Sequence, residues 1–242
     1  MKHLEIAGRP VGPEHAPYVI AEMSGNHNGS LDRALAIIDA IADTGAHAVK
    51  LQTYTPNTMT LDLREGAFVI DDPASLWHGR SLHDLYAEAH TPWDWHPALF
   101  ERAAKCGLAC FSSPFDDTAV DLLEGLDAPA YKIASFENTD VALLRRVARS
   151  GRPVIVSTGM ANLAEIHQAV ATIRAGGNDQ IVLIKMHQHL PRRTWQQSRP
   201  NHPTLAAGVR RRGRAERPHP GHRRFNSGRD ARRHRDRESH DS

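Results

Sequence analysis

The chain has 242 residues, of which 40% are hydrophobic, and a formal net charge of +2, a composition that suits one large domain or two small ones. That average conceals two populations: residues 1–185 hold 15 Lys+Arg against 23 Asp+Glu, a formal −8, whereas residues 186–242 hold 15 Arg, no Lys and 5 Asp+Glu, a formal +10. No apolar run reaches the roughly 20 residues of a membrane span, and "MKHLEIAGRP" lacks the apolar core of a signal peptide, so a soluble cytoplasmic protein with no membrane partner is expected.

In chain order, "YVIAEM" at 18–23 reads as a first strand and "SLDRALAIIDAIADTG" at 30–45 as an amphipathic helix with Leu31, Ala34, Ile37, Ile38 and Ile41 on one face. Gly45 is placed to cap that helix, and "HAVKLQT" at 47–53 follows as the second strand. The unit then repeats, a helical stretch leading each time into an apolar run. These pairs are 96–107 into 108–113, 116–126 into 130–135, 139–151 into 153–157, and 161–177 into 180–185. Cys106 and Cys110 fall in one helix-to-strand region, where reduced, non-catalytic thiols are expected.

Strands that are apolar on nearly every residue and alternate with helices indicate a parallel sheet covered by helices. Regular strand spacing, and polar residues at the C-terminal end of every strand rather than at one crevice, favour a (β/α)8 barrel over a doubly wound sheet. The expected fold is therefore a TIM barrel cut short after its sixth strand, with residues 1–185 as the incomplete barrel domain. In residues 186–242 only Met186, Leu190, Trp195, Leu205, Val209 and Phe225 are large and apolar. That is too few to offset ordering entropy, so a disordered Arg-rich tail is expected there.

Lys50 and Lys132 end two strands, and the hydroxyls of Ser113, Ser135 and Ser157 end others. Ammonium charge together with short hydroxyl donors suits a phosphate or a phosphorylated carboxylate. Glu22 and Glu137 add carboxylates to the same rim, as candidate catalytic acids or bases, or as ion-pair partners of the lysines. His27, in "GNHNG", is expected to order a turn. Trp93, Trp95 and His96 read as a packed helix entry.

The stretches "AEMSGNHNGSLDRALAIIDAIADTGAHAVKLQTYTPNTMTL", "FSSPFDDTAVDLLE", "AYKIASFEN" and "VIVSTGMANLAEI" resemble, in order, the sialic acid synthase family. Within it, "IDDPASLWHGRSLHDLYAEAHTPWDWH" is more like the branch that makes pseudaminic acid than the branch that makes N-acetylneuraminate. The resemblance implies a transferase that condenses phosphoenolpyruvate with an acetamido sugar, of the 2,4-diacetamido-2,4,6-trideoxy-altrose type, to a nonulosonic acid and phosphate. It implies that Lys50, Ser113, Lys132, Ser135 and Ser157 hold phosphoenolpyruvate and that Glu22 and Phe115 lie near the sugar. It further implies a divalent metal such as Mn²⁺ as Lewis acid, homodimerisation, and a small antifreeze-like C-terminal domain.

The family's two metal-binding histidine motifs and its antifreeze-like domain are not found in the 242 residues, so metal ligands are expected to be missing and this chain to be inactive and badly assembled. The genetic code offers an explanation. Residues 186–192, "MHQHLPR", can be written ATG CAC CAG CAC CTA CCC CGC; one nucleotide later the same bases read Cys-Thr-Ser-Thr-Tyr-Pro-Ala, the continuation the family has after this strand. Residues 214–222, "RAERPHPGH", permit Gly-Leu-Ser-Asp-His-Thr-Leu-Gly-Ile in the same frame, which contains the missing histidine motif. Residues 186–242 are thus expected to be out-of-frame translation. The rival reading, an Arg-rich arm that binds nucleic acid, is set aside because Arg is mixed with dispersed His, Pro and acids and Lys is absent.

Overall fold

The computed structural model describes residues 4–185. Its central element is a parallel sheet of six strands: β3 (Ile20–Glu22), β4 (Ala48–Thr53), β5 (Ala109–Pro114), β6 (Tyr131–Ile133), β7 (Val154–Ser157) and β8 (Ile181–Ile184). Each strand lies beside its successor, in the order β3-β4-β5-β6-β7-β8. A doubly wound sheet would reverse direction at a switch point; this one never does. The chain is therefore singly wound, the half-barrel arrangement of six TIM-type strands that the periodicity predicts.

Helices α1 (Leu31–Asp43), α4 (His96–Lys105), α5 (Asp117–Gly125), α6 (Val141–Ala148) and α7 (Leu163–Ala175) provide the crossovers. The starts of α1, α5, α6 and α7 are defined by side-chain caps: Ser30, Asp116, Asp140 and Asn162 each accept from backbone N–H groups of the first turn, and Asn162 with Glu165 forms a full capping box. Two short helices between β4 and α4, α2 (Pro56–Met59) and α3 (Leu82–Ala89), were not anticipated from periodicity. They are four and eight residues long, too short to display a sustained period.

Strand alternation sorts the core into two faces. Val49, Leu51 and Cys110 pack with Ile38, Ile41, Leu99 and Ala103 of α1 and α4, and Ile133, Val154 and Val156 pack with Leu123, Leu143, Leu144 and Ile173 of α5, α6 and α7. The opposite parity, Ala48, Phe111, Ala130 and Ile155, forms a separate cluster on the concave face. Ile6 joins that cluster from a hairpin of β1 (Leu4–Ile6) and β2 (Arg9–Val11). This hairpin, absent from the sequence reading, turns through Ala7 and Gly8, both at positive φ, as a two-residue primed turn requires. It covers the N-terminal end of the concave face, so the face is open toward the C-terminal ends of its strands.

The helix layer is tight where α7 ends. A Cβ built on Gly176 would lie 2.6 Å from Cβ of Ala148 on α6, closer than two methyl groups approach. Gly176→Ala is expected to destabilise the fold by about 1–3 kcal/mol through overpacking. Adding Ala148→Gly should recover part of that loss, and urea denaturation of the single and double variants measures both.

Candidate functional site

Register and parity bring the sequence-predicted residues to one place. Glu22 pairs with Lys50 across β3 and β4, and Gln52 with Ser113 across β4 and β5. Ser112 is opposite Tyr131, so Ser113 is level with Lys132. Glu22, Lys50, Gln52, Ser113, Lys132 and Ser157 all share the parity of the concave cluster and continue it toward the open end of the strands. Ser112, the neighbour of Ser113, has the other parity and faces the helices.

The electrostatics of this mouth are those of an incompletely satisfied cationic site. The Lys50 side chain is 4% exposed and its Nζ lies 3.5 Å from Oε1 of Glu22, whose side chain is 53% exposed. Burial lowers the pKa of Lys50 more than the Glu22 carboxylate raises it. Lys132 is lowered too, first by burial and then by the charge of Lys50, with Glu22 and Glu137 opposing. Two ammonium groups thus repel each other in a partly desolvated space. Glu137 is shifted the other way, raised by burial and only partly offset by Lys132, which favours its protonated form.

Three buried side-chain oxygens among the described residues have no hydrogen-bond partner: Oγ of Ser113, Oγ of Ser157 and Oε2 of Glu137. Buried polar groups are ordinarily paired, and an orphan calls for an explanation such as a ligand. All three belong to residues that the sequence singled out. Ser135 follows β6 at the same rim and is half-buried. Phe115, half-buried just past β5, stacks edge-on against Tyr54 with ring centroids 5.5 Å apart, and Tyr54 stacks edge-on against Tyr86 of α3 at 5.7 Å. The segment that carries α2 and α3 is thereby tied to the mouth by aromatic contacts.

Behind the rim lies a buried polar tier that the sequence reading did not identify. Thr53 Oγ1 is 2.6 Å from Ser112 Oγ and 2.9 Å from Nε2 of His96, whose Nδ1 is 3.2 Å from the Pro92 carbonyl. His27 behaves as its loop context predicts: it accepts from the Gly29 N–H through Nδ1, and its Nε2 meets Thr91 Oγ1 at 3.2 Å. The thiols of Cys106 and Cys110 are free, and burial pushes the pKa of each upward, which fits inert roles.

The donor set of the described residues does not fit a metal. Among the described residues no three His, Cys, Asp or Glu side chains gather in a way that could hold one, and the rim carboxylate Glu22 is engaged with Lys50. The sequence expectations about the metal motifs and the Arg-rich tail fall on residues beyond 185, outside the described part of the chain. No helix among the described residues is long and apolar enough to cross a membrane.

Residues 37–197 match the NeuB family. The chain belongs to the NeuB family. It is 46% identical over 169 residues to a pseudaminic acid synthase of Helicobacter pylori, a match covering 70% of this chain and 49% of that protein. Against a pseudaminic acid synthase of Campylobacter jejuni the identity is 42%, covering 72% and 50%. The NeuB-family chain therefore spans about half the length of these relatives. Its fold is also that of a crystal structure of an N-acetylneuraminic acid synthetase from Leptospira borgpetersenii in complex with citrate, with a TM-score of 0.70 at 26% identity over 81% of this chain and 63% of the other.

The buried histidines make the fold acid-sensitive. Burial is the leading cause that lowers His27 and His96 below their ordinary value, so between about pH 6.5 and the folded-state values the unfolded chain binds protons that the folded chain does not. Stability is then full above about pH 6.5 and declines as pH falls below it, by at most about 1.4 kcal/mol per pH unit for His96. Urea unfolding between pH 7.5 and 5 should show this decline, and His96→Gln should flatten it; an unchanged slope would assign the acid sensitivity to other groups.

Proposed function

We propose that the concave mouth binds phosphoenolpyruvate and that the NeuB-family chain represents a synthase condensing it with an acetamido sugar, of the 2,4-diacetamido-2,4,6-trideoxy type, to pseudaminic acid and phosphate. The observation that supports this most directly is the pair of orphan hydroxyls, Ser113 and Ser157, beside the buried Lys50 and the half-buried Lys132. Phosphoenolpyruvate carries a phosphate and a carboxylate, which together would relieve the Lys50–Lys132 repulsion and occupy the unpaired donors. Higher identity to the two pseudaminic acid synthases than to the N-acetylneuraminic acid synthetase favours the diacetamido sugar over N-acetylmannosamine.

In this reading Lys50, Lys132, Ser113, Ser135 and Ser157 hold the phosphoenolpyruvate, while Glu22 and Phe115 face the sugar. C3 of phosphoenolpyruvate attacks the open-chain aldehyde carbon, the aldehyde oxygen takes a proton, water adds at C2 and phosphate leaves with cleavage of the C2–O bond. Glu137, which burial keeps more readily protonated, is suited to supply the proton to the aldehyde oxygen. A divalent ion would polarise that aldehyde in the complete enzyme, and the described residues provide no set of ligands for it.

We further propose that residues 186–242 are read one nucleotide out of frame and that turnover needs the restored sequence. Genomic sequence across codons 180–195 tests this: codons incompatible with Cys-Thr-Ser-Thr-Tyr-Pro in the shifted frame would sink it. With the frame restored, phosphate release should depend on phosphoenolpyruvate and a divalent metal and should be faster with the diacetamido sugar than with N-acetylmannosamine. Faster release with N-acetylmannosamine would make the protein an N-acetylneuraminate synthase instead. Lys50→Met and Lys132→Met should each weaken phosphoenolpyruvate binding by roughly ten- to a hundredfold, the worth of a charge-assisted contact of about 1.5–3 kcal/mol. Unchanged saturation in both variants would place the anion elsewhere.

A further inference from the structure

The ladder between β6 and β7 is shorter than β7 itself. Its pairs are Tyr131 with Val154, Lys132 with Ile155 and Ile133 with Val156, and there it stops, whereas β7 continues to Ser157. On this side the rungs run from the N–H of a β6 residue to the carbonyl of an odd-numbered residue of the other segment, beginning with Tyr131 N–H onto Pro153 O. Continued at the same two-residue spacing, the rung at Ser157 O would come from Ser135. The main chain has left the sheet by then, turning into the 3₁₀ segment Glu137–Thr139.

A side chain makes that rung instead. Asn138 is 3% exposed, and its Nδ2 donates to the Ser157 carbonyl at 3.1 Å. Both ends of this bridge carry orphan atoms: Glu137, the neighbour of Asn138, has a buried, unpartnered Oε2, and Ser157 itself has a buried, unpartnered Oγ. We propose that Asn138 is a positioning residue of the anion site, which replaces the missing rung and thereby fixes Glu137 and Ser157 relative to each other while the chain at Ser135 is free to turn along the rim. The inference rests on the phosphoenolpyruvate reading above. An amide is needed because Asp has no N–H to donate and would set a carboxylate against a carbonyl, whereas an apolar residue would leave Ser157 O buried without a partner.

The test is a double-mutant cycle read by calorimetric titration of the 242-residue chain with phosphoenolpyruvate. Asn138→Ala and Asn138→Asp should each weaken binding by roughly tenfold. If Asn138 acts through Ser157, then Asn138→Ala combined with Ser157→Ala should bind no more than about twofold more weakly than Ser157→Ala alone, because contacting groups in one network are not additive. Leu144→Ala, a core truncation that lowers the melting temperature without touching the mouth, should keep wild-type affinity. Asn138→Ser, which keeps a short polar group, carries the same cycle if the Asn138→Ala variant does not fold. Losses that multiply, or an equal loss in Leu144→Ala, would reduce Asn138 to a structural role and overturn the inference while leaving the anion site standing. Failure of the unmodified chain to bind phosphoenolpyruvate would overturn the anion reading itself and the role of Asn138 with it.

Discussion

The repulsion between the ammonium groups of the buried Lys50 and the half-buried Lys132 is the constraint on which the mouth depends. Both have pKa values lowered mainly by burial, so the fold spends free energy to keep cations on its concave face, and among the described residues a single half-exposed carboxylate, Glu22, forms an ion pair with Lys50. Ion pairs with one solvated member contribute little, and Glu22 does not cancel the desolvation of Lys50. An arrangement of this kind is costly in isolation and gains by admitting an anion. Unpaired hydroxyls at Ser113 and Ser157 raise the same imbalance by a different route, since each is a buried polar group lacking a partner within the protein.

Strand parity makes this placement possible. In a parallel strand one residue faces the helices and the next faces the concavity, so a polar residue can enter the mouth without disturbing the core one position away. Thr53 and Ser112 use the helix-facing parity to bond each other and His96, while Gln52 and Ser113, their neighbours in sequence, face the opening. Helix α4, the turn before it and the ends of β4 and β5 are thus fastened by a polar tier directly behind the residues of the mouth. His27 and Thr91 extend that tier to the loop after β3. The cost is sensitivity to acid, because each histidine is buried in its neutral form.

Much of the architecture was legible because alternation of apolar runs with 3.6-residue patterns is a strong signal, and the rim residues were legible because they are the polar ends of otherwise apolar strands. What the sequence left open has physical reasons. A strand that is apolar at nearly every position does not declare which parity faces helices, so only the register shows that Ser113 enters the mouth while Ser112 faces the helices. The hairpin of β1 and β2 has three residues per strand and turns on Ala7-Gly8, without the Asn-Gly or Asp-Gly pair that marks such turns. Asn138 gave no sign of its role, because a side chain that substitutes for a backbone rung follows no period and depends on where a strand happens to leave the sheet.

The described site also divides unevenly over the sheet. Lys50, Ser113, Lys132 and Ser157 stand on β4, β5, β6 and β7, each of which has a hydrogen-bonded neighbour on both sides, whereas Glu22 stands on β3, an edge strand among the described residues. The difference is visible in burial: all four residues of β7 are buried, and all four of β8, at the opposite edge, are half-buried although they read Ile-Val-Leu-Ile. Positions on doubly paired strands are held by ladders on two sides, so their side chains can be fixed without help from the edges. The positions of Lys50, Ser113, Lys132 and Ser157 are therefore set by the four internal strands, while that of Glu22 depends on the edge. On the proposed reading, binding of the small anion and engagement of the sugar would then be separable, the first belonging to the sheet interior and the second to its margin.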